Sequence, residues 1–151
     1  MPTVEITVTV AAPASAVVDV LLDAEAAPKW TEGLEQLELI TGTIGEPGSV
    51  GRAHYVEGNR SYILEDRLIS VTPNRRYVSE IAGNGLRARV QITLDEINGK
   101  TRITVNWSGS GTNPITWVIL PFMKDRIARQ AKADMAKLSE LVEERWRTSR
   151  P

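Results

Sequence analysis

The stretch LRARVQITLDEINGKTRITVNWS, Leu86 to Ser108, decides the fold class. Leu86, Ala88, Val90, Ile92 and Leu94 alternate with Arg87, Arg89, Gln91, Thr93 and Asp95, which gives an extended strand one apolar and one polar face. Asn98-Gly99 follows, and beyond it Ile103, Val105 and Trp107 resume the apolar phase. Asn-Gly between two alternating runs favours a type I′ turn, because both central residues need positive φ. The pattern predicts an antiparallel hairpin with one dry face and one wet face.

Working outward, the same chemistry recurs upstream. Val4, Ile6, Val8 and Val10 alternate with Glu5, Thr7 and Thr9, a strand with one buried face. Pro13 stands where a first helical turn tolerates it, and ASAVVDVLLD follows as a short amphipathic helix. EAAPKW supplies a second short helical segment. Further strands are expected at 34–43, 50–57, 60–72 and 75–82, ahead of 86–96 and 100–108, separated by Gly45-Glu46-Pro47-Gly48, Gly58-Asn59, Pro73-Asn74 and Gly83-Asn84-Gly85. SGSGTNP reads as a loop leaving the sheet. The period then changes: Met123, Ile127, Ala131, Met135, Leu138, Val142 and Trp146 recur at three- and four-residue spacing. That is one amphipathic helix of about 25 residues beginning near Pro121.

The expected architecture is α+β: a curved antiparallel sheet of about seven strands, two short helices between its first two strands, and a long C-terminal helix. No linker or repeat divides the chain, so residues 1–151 form a single domain. A bent sheet wrapped on one helix leaves either an internal cavity or a filled core between them.

Composition excludes several classes. The net charge of −1, from 18 basic and 19 acidic residues, gives no reason to expect a nucleic-acid partner. There is no cysteine, so no disulfide, thiolate nucleophile or cysteine-based metal site is available. His54 is the only histidine, which leaves no metal site expected and no Ser-His-Asp arrangement beyond one built on it. No cofactor motif survives inspection: Gly99-Lys100-Thr101 lacks the first glycine of a phosphate loop, since Leu94 stands there. No apolar run is long enough for stable membrane insertion. The N-terminus carries Glu5 and alternates where a secretion signal would be continuously apolar, so a cytoplasmic location is expected.

Several local motifs, in order, resemble the SRPBCC superfamily, which includes START domains and birch-pollen-allergen-like proteins. They are Val8-Thr9-Val10-Ala11-Ala12-Pro13, Asp23-Ala24-Glu25-Ala26-Ala27-Pro28-Lys29-Trp30, Leu37-Glu38-Leu39, Gly48-Ser49-Val50-Gly51, Thr72-Pro73-Asn74-Arg75-Arg76-Tyr77 and Thr101-Arg102-Ile103-Thr104. The likeness covers nearly the whole chain and is greatest to the bacterial polyketide cyclase/dehydrase-like group. It implies a helix-grip fold with a hydrophobic cavity between sheet and C-terminal helix. The implied function is binding, transport or sequestration of a hydrophobic small molecule such as a lipid, polyketide or isoprenoid. Two alternatives come with it, a polyketide cyclase/aromatase-like enzyme and a ribosome-associated toxin-like interaction module. Either a monomer or a homodimer would serve.

Trp30, Tyr55, Tyr62, Trp107, Trp117, Phe122 and Met135 are the expected ligand-contacting residues. Trp30 is either a lid over the core or a wall of the pocket mouth. For catalysis the candidates are His54, Glu65, Arg67 and Tyr77. Strand 60–72 is ambiguous, because one alternation groups Glu65 and Arg67 with Ile63 and Ile69, and the other groups Asp66 with Tyr62, Leu64 and Leu68. Whichever face turns inward, a charged group lies among apolar neighbours and needs a partner or a ligand. The long helix carries Lys124, Arg126, Arg129, Lys132 and Lys137, and Arg145, Arg147 and Arg150 follow, making this end mildly basic.

Overall fold

Alternating side chains and Asn-Gly turns build most of the molecule, and the long amphipathic helix closes it. The computed structural model describes residues 2–149, so Arg150 of the basic tail lies outside the described residues. Strand β1 (Thr3–Val10) is followed by α1 (Ala14–Leu21) and α2 (Ala27–Trp30). Six strands come next: β2 (Leu34–Thr41), β3 (Val50–Glu57), β4 (Arg60–Thr72), β5 (Arg76–Gly83), β6 (Leu86–Ile97) and β7 (Lys100–Gly111). Helix α3 (Pro114–Ile119) leads through a 3-10 turn (Leu120–Met123) into α4 (Lys124–Ser149). The seven strands form one antiparallel sheet in the order β1-β7-β6-β5-β4-β3-β2. With the long helix laid along it, this is the helix-grip architecture.

The hairpin at 86–108 forms in the expected register, pairing Leu94 with Ile103, Ile92 with Val105 and Val90 with Trp107. Its turn has Asn98 at φ 54 and Gly99 at φ 78, as the type I′ geometry demands. β1 adds its apolar side chains to the same face, with Val8 opposite Ile103 and Ile6 opposite Val105.

Two expectations are corrected. SGSGTNP is largely strand, because β7 continues to Gly111 and there satisfies the backbone of Leu86 to Arg89 on β6. The helical segment that follows is broken. Asn113 caps α3 by accepting a hydrogen bond from the Thr116 amide at 3.0 Å. Pro121 then denies the chain an α-helical N–H, and α4 begins only at Lys124.

The core is lopsided. Val10, Ala12, Val17, Val20, Leu94, Ile103, Met135, Leu138 and Val142 form its main cluster, between β1, β7, β6, α1 and the C-terminal half of α4. Burying such side chains stabilises by about 1.5–3 kcal/mol each. Arg145 reinforces this end, donating to Asp23 at 3.1 Å and holding that carboxyl below the usual carboxylate range. By contrast, no side chain of α4 from Lys124 to Asp134 is buried. A satellite cluster of Ala27, Leu34 and Ala53 covers part of β2 and β3. The concave faces of β4, β5 and β6 beside the first half of α4 are left incompletely covered.

Candidate functional site

Strand parity settles what faces the helix. Tyr55 pairs with Tyr62, Ala53 with Leu64, and Gly51 with Asp66. Asp66 pairs in turn with Ile81, Ile81 with Ala88, and Ala88 with Gly109, which belongs to the inward phase of Ile103, Val105 and Trp107. The inward alternation of β4 is therefore Tyr62, Leu64, Asp66 and Leu68. A lateral row of Gly51, Asp66, Ile81, Ala88 and Gly109 crosses five strands. Apart from Asp66 and Ile81 its side chains are minimal, and at its β3 end Leu37 closes over Gly51. At its β7 end, the Trp107 ring lies over Gly109, taking the space a side chain there would use.

This face is only partly covered, so what lies between it and α4 is a shallow recess rather than an enclosed cavity. Tyr62, Leu64, Asp66, Ile81 and Val90 are all half-buried on the inward side. The Tyr55 and Tyr62 rings stack with centroids 5.3 Å apart and 8° between planes, forming a flat aromatic wall. Burial pushes the Tyr55 phenol well up, helped by the neighbouring Tyr62, Asp134 and Asp66. Burial raises the Tyr62 phenol too, with Glu57 adding to it.

Asp66 lies beyond this wall. Loss of hydration raises its carboxyl above the ordinary range, and a hydrogen bond from Ser79 opposes the rise. The residue is half-buried, so the carboxyl is desolvated without being sealed from water. Across the recess, burial also raises Asp134 of α4, which accepts a hydrogen bond from the Glu32 amide at 3.1 Å. Gln130 donates to the Glu32 carbonyl at 3.3 Å, so α4 is tied to the loop carrying Trp30. Trp30 itself packs half-buried against the main core, and its indole Nε1 is buried with no acceptor. An unpaired buried donor is unfavourable and wants an oxygen from water or ligand.

The candidates from sequence divide sharply. Tyr55, Tyr62 and Trp107 face the recess. Met135 is packed into the main core. Tyr77 faces inward but is buried, and its hydroxyl accepts from the Asn74 amide at 3.1 Å, bracing the β4–β5 turn. Trp117 and Phe122 are not brought to the recess; they point to solvent, 68% and 85% exposed. His54, Glu65 and Arg67 lie on the opposite, convex face. There His54 Nε2 stands 2.7 Å from Glu38 Oε1, and Arg67 lies 3.6 Å from Glu65, both pairs wet. Asp134 and Ser79 were missing from the candidates; the pairing of β4 with β5 sets Ser79 by Asp66, and only the packing of α4 brings in Asp134.

Two clefts lie away from the recess. The larger, about 480 Å³, runs over the convex side between Arg75, Arg76 and Arg102, with Asp95 and Glu96 beside them. The smaller separates α1 from the end of α4. Among the described residues no cluster of three metal-ligating side chains occurs. Nor, among them, is any helix long and apolar enough to cross a membrane.

A seven-stranded antiparallel sheet gripping a long C-terminal helix is a START-like fold. The chain belongs to the polyketide cyclase/dehydrase and lipid transport family, whose model matches residues 1–143. Solved structures agree on the fold. The Zhui aromatase/cyclase from Streptomyces sp. R1128 superposes with a TM-score of 0.78 at 20% identity, covering 95% of this chain and 94% of that one. A conserved protein from Geobacillus kaustophilus gives 0.77 at 15% identity, covering 95% and 96%. A START superfamily protein from Mycobacterium smegmatis gives 0.72 at 16% identity, covering 99% and 100%. No curated protein matches the chain.

Proposed function

We propose that the chain binds a flat, largely apolar small molecule in the recess between the concave sheet face and the first half of α4. The observation that carries this is the Tyr55–Tyr62 stack, with a desolvated Asp66 further along the same strand face, on a concave surface that is only half-covered. An apolar ring system would cover the aromatic wall and Leu64, and a hydroxyl or enol on it would donate to Asp66. Mixed apolar bulk with one or two placed polar groups is the usual composition of a ligand site. Membership of a family described by both cyclisation and lipid transport supports the same reading.

The test is mass spectrometry of organic extracts from native protein, with titration of an aromatic dye against wild type and Tyr62→Ala. Recovery of an apolar compound and weaker dye binding by the variant are expected. Absence of any extracted compound, together with equal dye binding by both proteins, would sink the reading.

A second reading, an enzyme closing rings on a polyketide-type substrate, is favoured by one observation. A carboxyl with a raised pKa beside bound substrate is suited to moving a proton near neutral pH. Asp66 then replaces His54, Glu65 and Arg67 as the group to test. On this reading Asp66→Asn abolishes turnover and retains ligand uptake.

A further inference from the structure

Helix α3 is built inside out. Ile115 is 70% exposed, and Trp117, Val118, Ile119 and Phe122 are exposed as well, five large apolar side chains within eight residues. Isolated exposed apolar residues are ordinary, whereas a contiguous group marks an interaction surface.

The segment is also held in this orientation by its backbone. A β-carbon on Gly111 would overlap the backbone of Thr116 and Trp117, and one on Gly85 would stand 2.7 Å from Thr116 Cγ2. The helix therefore sits directly on two glycines at the end of β6 and β7. Asn113 and Thr116 cap each other reciprocally, and Leu120 is buried beneath. With Thr116 and Leu120 turned toward the sheet, the apolar ridge is presented to solvent by a rigid seat.

The charge around the ridge says what it meets. Between Asn113 and Lys132 the chain carries Lys124, Arg126, Arg129 and Lys132 against the single acid Asp125, although the whole chain is −1. Arg126 leans 3.9 Å from Glu57, while Lys124, Arg129 and Lys132 are exposed on the first turns of α4. Trp and Phe on a short amphipathic element, with cations alongside, is the composition that lies in the interface of an anionic bilayer.

We propose that α3 and the following 3-10 turn dock this protein on the surface of an anionic lipid membrane. Trp117 and Phe122 enter the headgroup boundary, and Lys124, Arg129 and Lys132 meet lipid phosphates. Leu86, paired with Gly111, lies at this seat on the concave side, so docking turns that end of the concave face toward the bilayer from which an apolar ligand could be taken. Docking goes beyond the ligand reading and stands without it.

The experiment is cosedimentation of the protein with phosphatidylcholine vesicles, with and without phosphatidylglycerol, at low and raised salt. It compares wild type with the triple variant Ile115→Ser/Trp117→Ser/Phe122→Ser. Wild type should bind the anionic vesicles, release with salt, and bind them about tenfold more tightly than the variant. All three changes are at exposed positions, so circular dichroism and the unfolding midpoint should not fall, and aromatic dye should still enter the recess. Failure of wild type to sediment with anionic vesicles, or equal sedimentation of both proteins, overturns the proposal. So does a wild-type dimer that the variant converts to monomer while vesicles capture neither, because the ridge is then an interface between copies.

Discussion

Tyr55 on β3 and Tyr62 on β4 face each other across one residue pair, and their rings stack nearly parallel on the concave side of the sheet. Aromatic pairs of this kind are worth about 0.5–1.5 kcal/mol beyond the area they bury. Both are half-buried, and Tyr62 is the less desolvated of the two, so its outer surface is the one open to a ligand ring. Tyr62→Ala is expected to weaken binding of an aromatic dye by about three- to tenfold. Tyr62→Phe should leave it nearly unchanged. Fluorescence titration distinguishes them, and equal affinities for all three proteins would remove Tyr62 from the site.

Asp66 makes a prediction about pH. Burial raises its folded-state pKa, so its favourable contribution is complete below the unfolded carboxylate pKa and is lost as pH rises through the folded value. Above that range the protein keeps a desolvated charge at some cost. Asp66→Asn should therefore raise the unfolding midpoint at neutral pH, and the gain should disappear as pH falls below the carboxylate range. A variant less stable at neutral pH than wild type would contradict this.

On the convex face, the expected effects are small. The Glu65–Arg67 pair is solvent-exposed and the His54–Glu38 pair partly so, and pairs near the surface contribute about 0–1 kcal/mol. Alanine at any of the three should leave ligand affinity unchanged and the unfolding midpoint close to wild type. Loss of binding in one of them would place the ligand outside the recess.

The core makes the opposite prediction. Leu138 is fully buried in the main cluster, and Leu138→Ala should cost about 2–5 kcal/mol through lost transfer energy and the cavity left behind. Urea unfolding measures it directly. A loss below about 1 kcal/mol would mean the main cluster is not where stability resides.

Hairpin, strand count and long helix were legible because each rests on local periodicity. Asn98-Gly99 alone fixes the phase of Leu86–Leu94 against Ile103–Trp107, and the structure keeps it. β4 was not legible for a definite reason. Ile63 and Ile69 on one alternation match Leu64 and Leu68 on the other, so hydrophobicity cannot select a face; pairing with Tyr55 and Ile81 does. His54 followed from the same gap, since its orientation depends on the parity of Ala53 and Tyr55. SGSGTNP misled through composition, as Ser and Gly are weak strand formers, yet the ladder partners on β6 keep them in the sheet. Trp117 and Phe122 misled through hydrophobicity itself, because nothing local in Pro114–Met123 signals that its apolar face is left uncovered.

The two halves of α4 behave as different materials. From Met135 onward the helix is embedded in the main cluster, and a substitution there is felt by the whole molecule. Before Asp134 it is moored at a few points, through Glu32 and Glu57, and none of its side chains is buried. Changes along Ile127, Ala128 and Ala131, all half-buried, should therefore cost little folding free energy. A single helix thus separates the part of the chain that must stay constant from the part free to diversify.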